Sequence, residues 1–219
     1  KINVKNLLGG HSGMEIDKQR ANSNVLMGRL LNYIINTCGM DIDLVYIEGG
    51  LKNNAIPREA ECIILTDSCN ESCFENEIEN ILKVFKNEYK TSDPSLSIEI
   101  EKCEEVFNKA LNDKCKENII SLINLMPRGI QTMSMDIKGL VESSTNLGVI
   151  SNNEENIVFE FATRSSVKSL KDDLNTRMTL LCNQLGVKLD LIDDYPEWEY
   201  AKNSKLEEIC VNTYEELMG

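Results

Sequence analysis

Phe74, Ile78, Ile81, Leu82, Phe85 and Tyr89 fall at i, i+4, i+7, i+8, i+11 and i+15, which puts them on one face of a long helix. A helix with a single apolar stripe must cover something, and this chain has several of that kind. Leu170, Leu174, Met178, Leu181 and Leu185 make a second stripe, with Gly186 placed to terminate it. A third helix is expected from Asp17, a candidate N-cap, to Thr37, with Leu26, Leu30 and Ile34 inward and Gly39 at its end. A shorter one is expected from Asp113 to Leu125, stopping before Pro127-Arg128-Gly129.

Strand signals lie between the helices. Ile42 to Ile47 and Glu61 to Leu65 flank the turn-rich Gly49-Gly50-Leu51-Lys52-Asn53-Asn54 and read as a hairpin. Leu96, Ser97, Ile98, Glu99 and Ile100 alternate as a half-buried strand does. Leu147 to Ile150 and Ile157 to Phe161 flank Ser151-Asn152-Asn153-Glu154-Glu155 as a second hairpin, and Val187 to Ile192 is expected as the last strand. Lys1 to Lys5 reads as a strand already under way, without an initiator Met, as an excised segment would begin. The strand at Leu96–Ile100 can close one β-α-β-β-α-β unit and open the next. The expected class is therefore α+β, with tandem ferredoxin-like halves and an antiparallel sheet carrying helices on one face. Residues 1–94 form the first half, 95–194 the second, and 195–219 a linker and helix. That tail helix, Ser204 to Met218, would turn Leu206, Ile209, Cys210 and Leu217 inward.

Composition narrows the partners. With 36 acidic and 23 basic side chains the net charge is −13, so phosphate backbones and anionic membrane surfaces are repelled. No segment approaches the roughly 20 apolar residues of a membrane span, and Lys1-Ile2-Asn3-Val4-Lys5 is unlike a signal peptide. The eight cysteines form no CxxC pair, and Cys69 and Cys73 have no second pair or histidine to complete a zinc site. Reduced thiols in the cytoplasm are the expectation. His11 stands alone, too few imidazoles for a typical catalytic zinc centre, and no acidic loop suits magnesium or calcium. No metal is therefore expected on this segment.

Three positions invite chemistry. Gly9-Gly10-His11-Ser12-Gly13 joins the first strand to the first helix, and its glycines permit tight turns that expose the imidazole. A histidine ahead of a helix N-terminus is favoured as the neutral ring, able to donate to a carbonyl or an oxyanion. An ordinary loop histidine is the competing assignment. Asn54, in Asn53-Asn54-Ala55-Ile56-Pro57-Arg58-Glu59-Ala60, either caps the turn or holds a substrate's backbone; Arg58 and Glu59 read as surface charges. Arg164 ends a strand in Phe159-Glu160-Phe161-Ala162-Thr163-Arg164-Ser165-Ser166, and its fork is a clamp for a carboxylate or one half of a structural ion pair. No nucleophile–base triad, P-loop or dinucleotide fingerprint is present.

These motifs resemble one family. Gly9-Gly10-His11-Ser12-Gly13, Arg20-Ala21-Asn22, Asn54 through Ala60, Leu125-Met126-Pro127-Arg128-Gly129, Gly139 through Ser144, Asn146-Leu147, Thr163 through Ser166 and Tyr195-Pro196-Glu197-Trp198 are similar, in order, to the lid and dimerisation part of the bacterial aminoacyl-histidine dipeptidases. That family lies within the cocatalytic zinc aminopeptidase and carboxypeptidase superfamily. The resemblance implies a cytoplasmic metallo-exopeptidase acting on Xaa-His-type dipeptides. Its two divalent metals, zinc by family habit, would sit in a separate domain that flanks the lid and is absent here, leaving this segment inactive alone. It implies His11 at the substrate carbonyl, within its own chain or across a homodimer, with Asn54 on the peptide backbone and Arg164 on the C-terminal carboxylate. Ser204 to Gly219 would belong to the returning metal domain. A non-catalytic dimerisation or binding module of the same fold is the alternative.

Overall fold

In the computed structural model, residues 1–67, 71–153, 155–202 and 204–218 are described; Cys69 and Glu154 lie outside them. A hairpin supplies the centre of the first half. β3 (Asp43–Gly49) and β5 (Ala60–Leu65) pair antiparallel, as the turn-rich spacer between them requires. β1 (Ile2–Lys5) adds beside β5, and β6 (Ser97–Ile100) adds beside β1. The order β6-β1-β5-β3 with two crossing helices is the ferredoxin-like arrangement.

The crossing helices bear out their periodicity. Between β5 and β6, α2 (Glu71–Glu88) buries Phe74, Ile78, Ile81 and Phe85, with Leu82 and Tyr89 packed against the same core. Between β1 and β3, α1 (Ser23–Asn32) widens into a single π turn (Tyr33–Thr37), where the Cys38 amide donates to the Tyr33 carbonyl over five residues. Leu26, Leu30 and Ile34 are fully buried along this face, and Gly39 follows at φ 68°. The cap is not Asp17, which lies in an isolated 3₁₀ turn (Ile16–Lys18). Asn22 takes that role, its side-chain oxygen accepting from the Val25 amide.

The second half departs from a copy of the first. α3 (Asp113–Leu125) begins at an Asn112 cap and is followed by β7 (Gly129–Met133), β8 (Val141–Asn152), β9 (Ile157–Ser165) and α4 (Lys168–Leu185). β8 carries β9 along one edge, while its other edge is shared end to end by β7 and by β3, which joins it at Gly49↔Ile150. Both halves thereby build one antiparallel sheet of seven strands, and α2, α1, α3 and α4 touch in a row across one face. The expected sharing of the Leu96–Ile100 strand does not occur, because β6 sits at the far edge against β1. Val187 to Ile192 forms no strand either. After Gly186 closes α4, Val187 and Leu189 turn back onto a small cluster of Leu122, Met126, Met178 and Cys182, while Leu191 and Ile192 face solvent. Those apolar residues find helix side chains before they find a strand edge.

The last helix, α5 (Lys205–Met218), buries nothing, so Leu206, Ile209, Cys210 and Leu217 are not inward as expected. Among the described residues, no helix is long and apolar enough to cross a membrane. Cys62 and Cys182 are buried, and burial pushes the Cys62 thiol up to about 12, which keeps it an inert small hydrophobe.

α1 and α3 cross at Gly28, where a Cβ would sit 2.2 Å from Cγ2 of Ile123. A β-branched neighbour has little rotamer freedom to yield. Gly28→Ala should cost about 1–3 kcal/mol in urea unfolding, despite alanine's better helix propensity. A more stable variant would mean that the helices do not pack at this distance.

Candidate functional site

The loop from Gly9 to Arg20 is irregular, so its backbone groups need partners from elsewhere. Two residues of it, Gly10 and His11, form a short strand, β2, paired with β4 (Ala55–Ile56), with His11 opposite Ala55. The Ser12 amide donates to the Asn54 carbonyl at 2.9 Å. This ladder brings His11 beside Asn54 although forty-odd residues separate them.

Asn146, buried on β8, holds the ladder to the sheet. Its Nδ2 donates to the carbonyls of Asn53 (3.2 Å) and Ala55 (2.8 Å), and its Oδ1 accepts from Asn22 Nδ2 (3.2 Å). The same Asn22 nitrogen donates to the Leu147 carbonyl while its oxygen caps α1. The backbones beneath lie so close that a Cβ on Gly148 would come within 2.4 Å of Asn53 Cα.

The sequence rationale for a neutral His11 does not survive, since α1 starts only at Ser23 and no helix follows the histidine directly. A different device orients the ring. Nδ1 accepts from the amides of Gly13 (3.1 Å) and Met14 (3.0 Å), so the neutral imidazole carries its proton on Nε2. His11 is exposed, and Nε2 is the atom left to donate. The loop closes on Glu15, whose carboxylate accepts from the His11 amide (2.9 Å) and Lys18 Nζ (2.7 Å) and pairs with Arg20 (3.1 Å). The Lys18 ammonium first, then the His11 amide, hold its pKa down at about 2.

Arg164 arrives from the other half on β9, paired with Ser144 of β8. A Cβ on Gly13 would lie 3.2 Å from Arg164 Nε and 3.2 Å from His11 Cε1, so the guanidinium and the imidazole flank this one glycine. Arg164 Nη1 donates to the Tyr195 hydroxyl (3.3 Å), whereas Nε is closed to solvent without an acceptor. Ser12 Oγ is likewise buried and unpartnered. The fold thus brings His11, Asn54 and Arg164 close to residues 144–148 in the middle of β8. Asn54 presents an exposed carboxamide and spends only its carbonyl on the ladder. Arg58 is exposed, as a surface charge would be, and its Nε also donates to the Leu7 carbonyl (3.2 Å) while its stem packs beneath Gly9.

Sequence reasoning named no role for Asn22, Glu15, Asn146, Lys171 or Tyr195. Lys171 sits on the inner face of α4 with Leu174, Met178 and Cys182, a place where a cation has no periodic signature. It is 8% exposed and contacts Asp194 (2.6 Å), Glu197 and the Tyr195 carbonyl (3.0 Å). Burial pulls its pKa down, but the two carboxylates outweigh this and the net shift is upward. Among the described residues, no three histidine, cysteine or carboxylate side chains come together to hold a metal ion.

Asn146→Ala would strand two loop carbonyls and should cost about 1–3 kcal/mol in denaturant unfolding. It should also broaden the backbone resonances of residues 53–55. The Glu15 contact carries its own pH window. A carboxylate whose folded pKa lies below its unfolded value stabilises the loop above the unfolded value, and that support fades as pH falls through the folded one. NMR should find the Glu15 carboxyl titrating near 2, with the His11 amide shift intact at pH 5 and lost as the pH approaches that value. A titration midpoint at 4.5 would remove the bracket.

Residues 2–93 match the peptidase dimerisation domain family of M20 type. The whole chain is 30% identical to the cytosol non-specific dipeptidase of Escherichia coli, covering 44% of that protein. It superposes on the crystal structure of an aminoacylhistidine dipeptidase from Vibrio alginolyticus with a TM-score of 0.91 and 27% identity, again over 100% of this chain and 44% of the other. The chain therefore spans less than half the length of the relatives it matches. Residues 2–93 thus match a peptidase dimerisation domain model, and the chain as a whole has the fold of the corresponding part of an aminoacylhistidine dipeptidase.

Proposed function

We propose that this chain is the substrate-contacting lid of a metal-dependent, cytoplasmic dipeptidase that accepts Xaa-His-type dipeptides, and that it serves the same enzyme as a pairing surface for a homodimer. Residues 195–219 act in this reading as the linker and first helix of the returning metal-binding domain. The observation that carries the reading is the meeting of His11 and Arg164 at Gly13, the imidazole with Nε2 free to donate and the guanidinium with Nε lacking an acceptor. A non-catalytic pairing module has no use for such a pair.

Each group has a task set by its chemistry. A dipeptide's terminal carboxylate suits the planar fork of Arg164, since charge-assisted hydrogen bonds to a guanidinium are strong and directional. His11 Nε2 donates to the scissile carbonyl oxygen, where negative charge grows as the tetrahedral intermediate forms. Asn54 offers donor and acceptor to the peptide backbone. The distance between the two fixed donors measures the substrate: a longer peptide cannot place a carboxylate at Arg164 while its first peptide bond lies at His11. Two divalent metals, zinc in this proposal, would supply the activated water from the flanking domain.

In the full-length protein, Arg164→Ala should lower kcat/KM for a dipeptide ending in His by about 100-fold, mainly through KM, as expected for a lost charge-assisted contact. Hydrolysis of the matching dipeptide amide, which has no carboxylate to lose, should fall far less. Equal losses on both substrates, or none, would reject the clamp and return the chain to the pairing-module reading.

A further inference from the structure

We infer that Tyr195 is a positioning residue for Arg164, aimed by a clip that Lys171 makes with the segment 194–197. The inference rests on the carboxylate-clamp reading of Arg164 and extends it to residues outside the loop and strand that carry the other contacts.

Tyr195 is 54% exposed, so packing does not fix its ring. Lys171 does. This lysine is 8% exposed, and its Nζ reaches the Asp194 carboxylate, the Tyr195 carbonyl and the Glu197 carboxylate, three points within four consecutive residues. It also lies 5.7 Å from the Tyr195 ring centroid, within cation–π range. A buried ammonium satisfied on three sides is costly to release, because any freed segment leaves the charge under-solvated. The segment is thereby tied to α4 and the phenol is held over β9, where its oxygen accepts from Arg164 Nη1 at 3.3 Å.

A neutral hydroxyl is a weak acceptor for a guanidinium compared with a carboxylate. At 3.3 Å the phenol keeps the fork turned toward the site without competing strongly for it. When a carboxylate docks, the same hydroxyl can rotate its proton outward and donate to the second carboxylate oxygen. Tyr195 thus orients the empty clamp and adds a donor to the filled one. The ordering cost of a long, mobile arginine is met before substrate arrives.

The test compares a dipeptide with its C-terminal amide, using the full-length enzyme. Tyr195→Phe keeps the ring and removes only the hydroxyl. It should raise KM for the dipeptide about fivefold more than for the amide, the scale of one modest hydrogen bond. Lys171→Met should move the same ratio in the same direction, and combining the two should give less than the product of their separate effects. If Lys171→Met does not fold, Tyr195→Phe decides alone. Arg164→Ala discriminating between the two substrates while Tyr195→Phe does not would overturn the positioning role and leave the clamp standing. Failure of Arg164→Ala to discriminate would sink the clamp and this inference with it.

Discussion

The carboxamide of Asn146 is buried in the middle of β8 and both of its ends are used, the nitrogen on two loop carbonyls and the oxygen on the side chain that caps α1. An irregular loop can approach a sheet only if its backbone groups are satisfied there, and one amide side chain does this for the segment that carries Asn54 and supports His11. Gly50 and Gly148 allow the approach, since a Cβ on Gly50 would fall 1.9 Å from the Gly148 carbonyl oxygen. The position of the functional loop is therefore a property of the core. It inherits the precision of β8, whose residues 143–148 are all buried.

Charge is arranged differently on the two sides of the sheet. On the face away from the helices, Lys1 pairs with Glu61 at 2.7 Å and Lys5 with Glu99 at 2.7 Å, cross-strand neighbours along β5, β1 and β6. Such partly exposed pairs contribute little stability each, but they make that face compatible with water. The apolar work falls to the helix side, where one continuous core runs from Phe85 under α2 to Ile123 under α3. Asp93 is the exception that serves geometry. Fully buried, it accepts from the amides of Leu8 and Ala21 and so pins both ends of the His11 loop.

Periodicity made the helices legible, because their apolar stripes and terminal glycines are local properties. The stripe from Phe74 to Tyr89 maps onto α2 with every residue in the core or against it. The same reasoning misplaced the start of α1, for Asp17 and Asn22 are both good caps, and long-range bonds from Asp93 to Ala21 and from Asn22 to Asn146 and Leu147 are not local in sequence. The strand at 187–192 failed for a non-local reason: Val187 and Leu189 alternate correctly, but they pack onto the side chains of Leu122, Met126, Met178 and Cys182 instead of pairing with a strand. Arg164 and His11 were visible as residue types on telling motifs. Their meeting at Gly13 was not, since it depends on β8 joining both halves, and a buried lysine such as Lys171 has no sequence signal apart from carboxylates twenty-odd residues away.

The two principal side chains reach their meeting point by separate routes. His11 is fixed through β4, Asn146 and the first half. Arg164 is fixed through β9, the edge strand that pairs only with β8, and through the segment that Lys171 ties to α4. Arg164 and Lys171 are seven residues apart on consecutive elements, whereas the phenol partner Tyr195 comes 31 residues after Arg164, in the stretch that follows α4. The residues past that stretch form α5, whose Ile209, Cys210, Leu217 and Met218 lie exposed. An amphipathic helix with no cover of its own is stable only when another surface takes its apolar side.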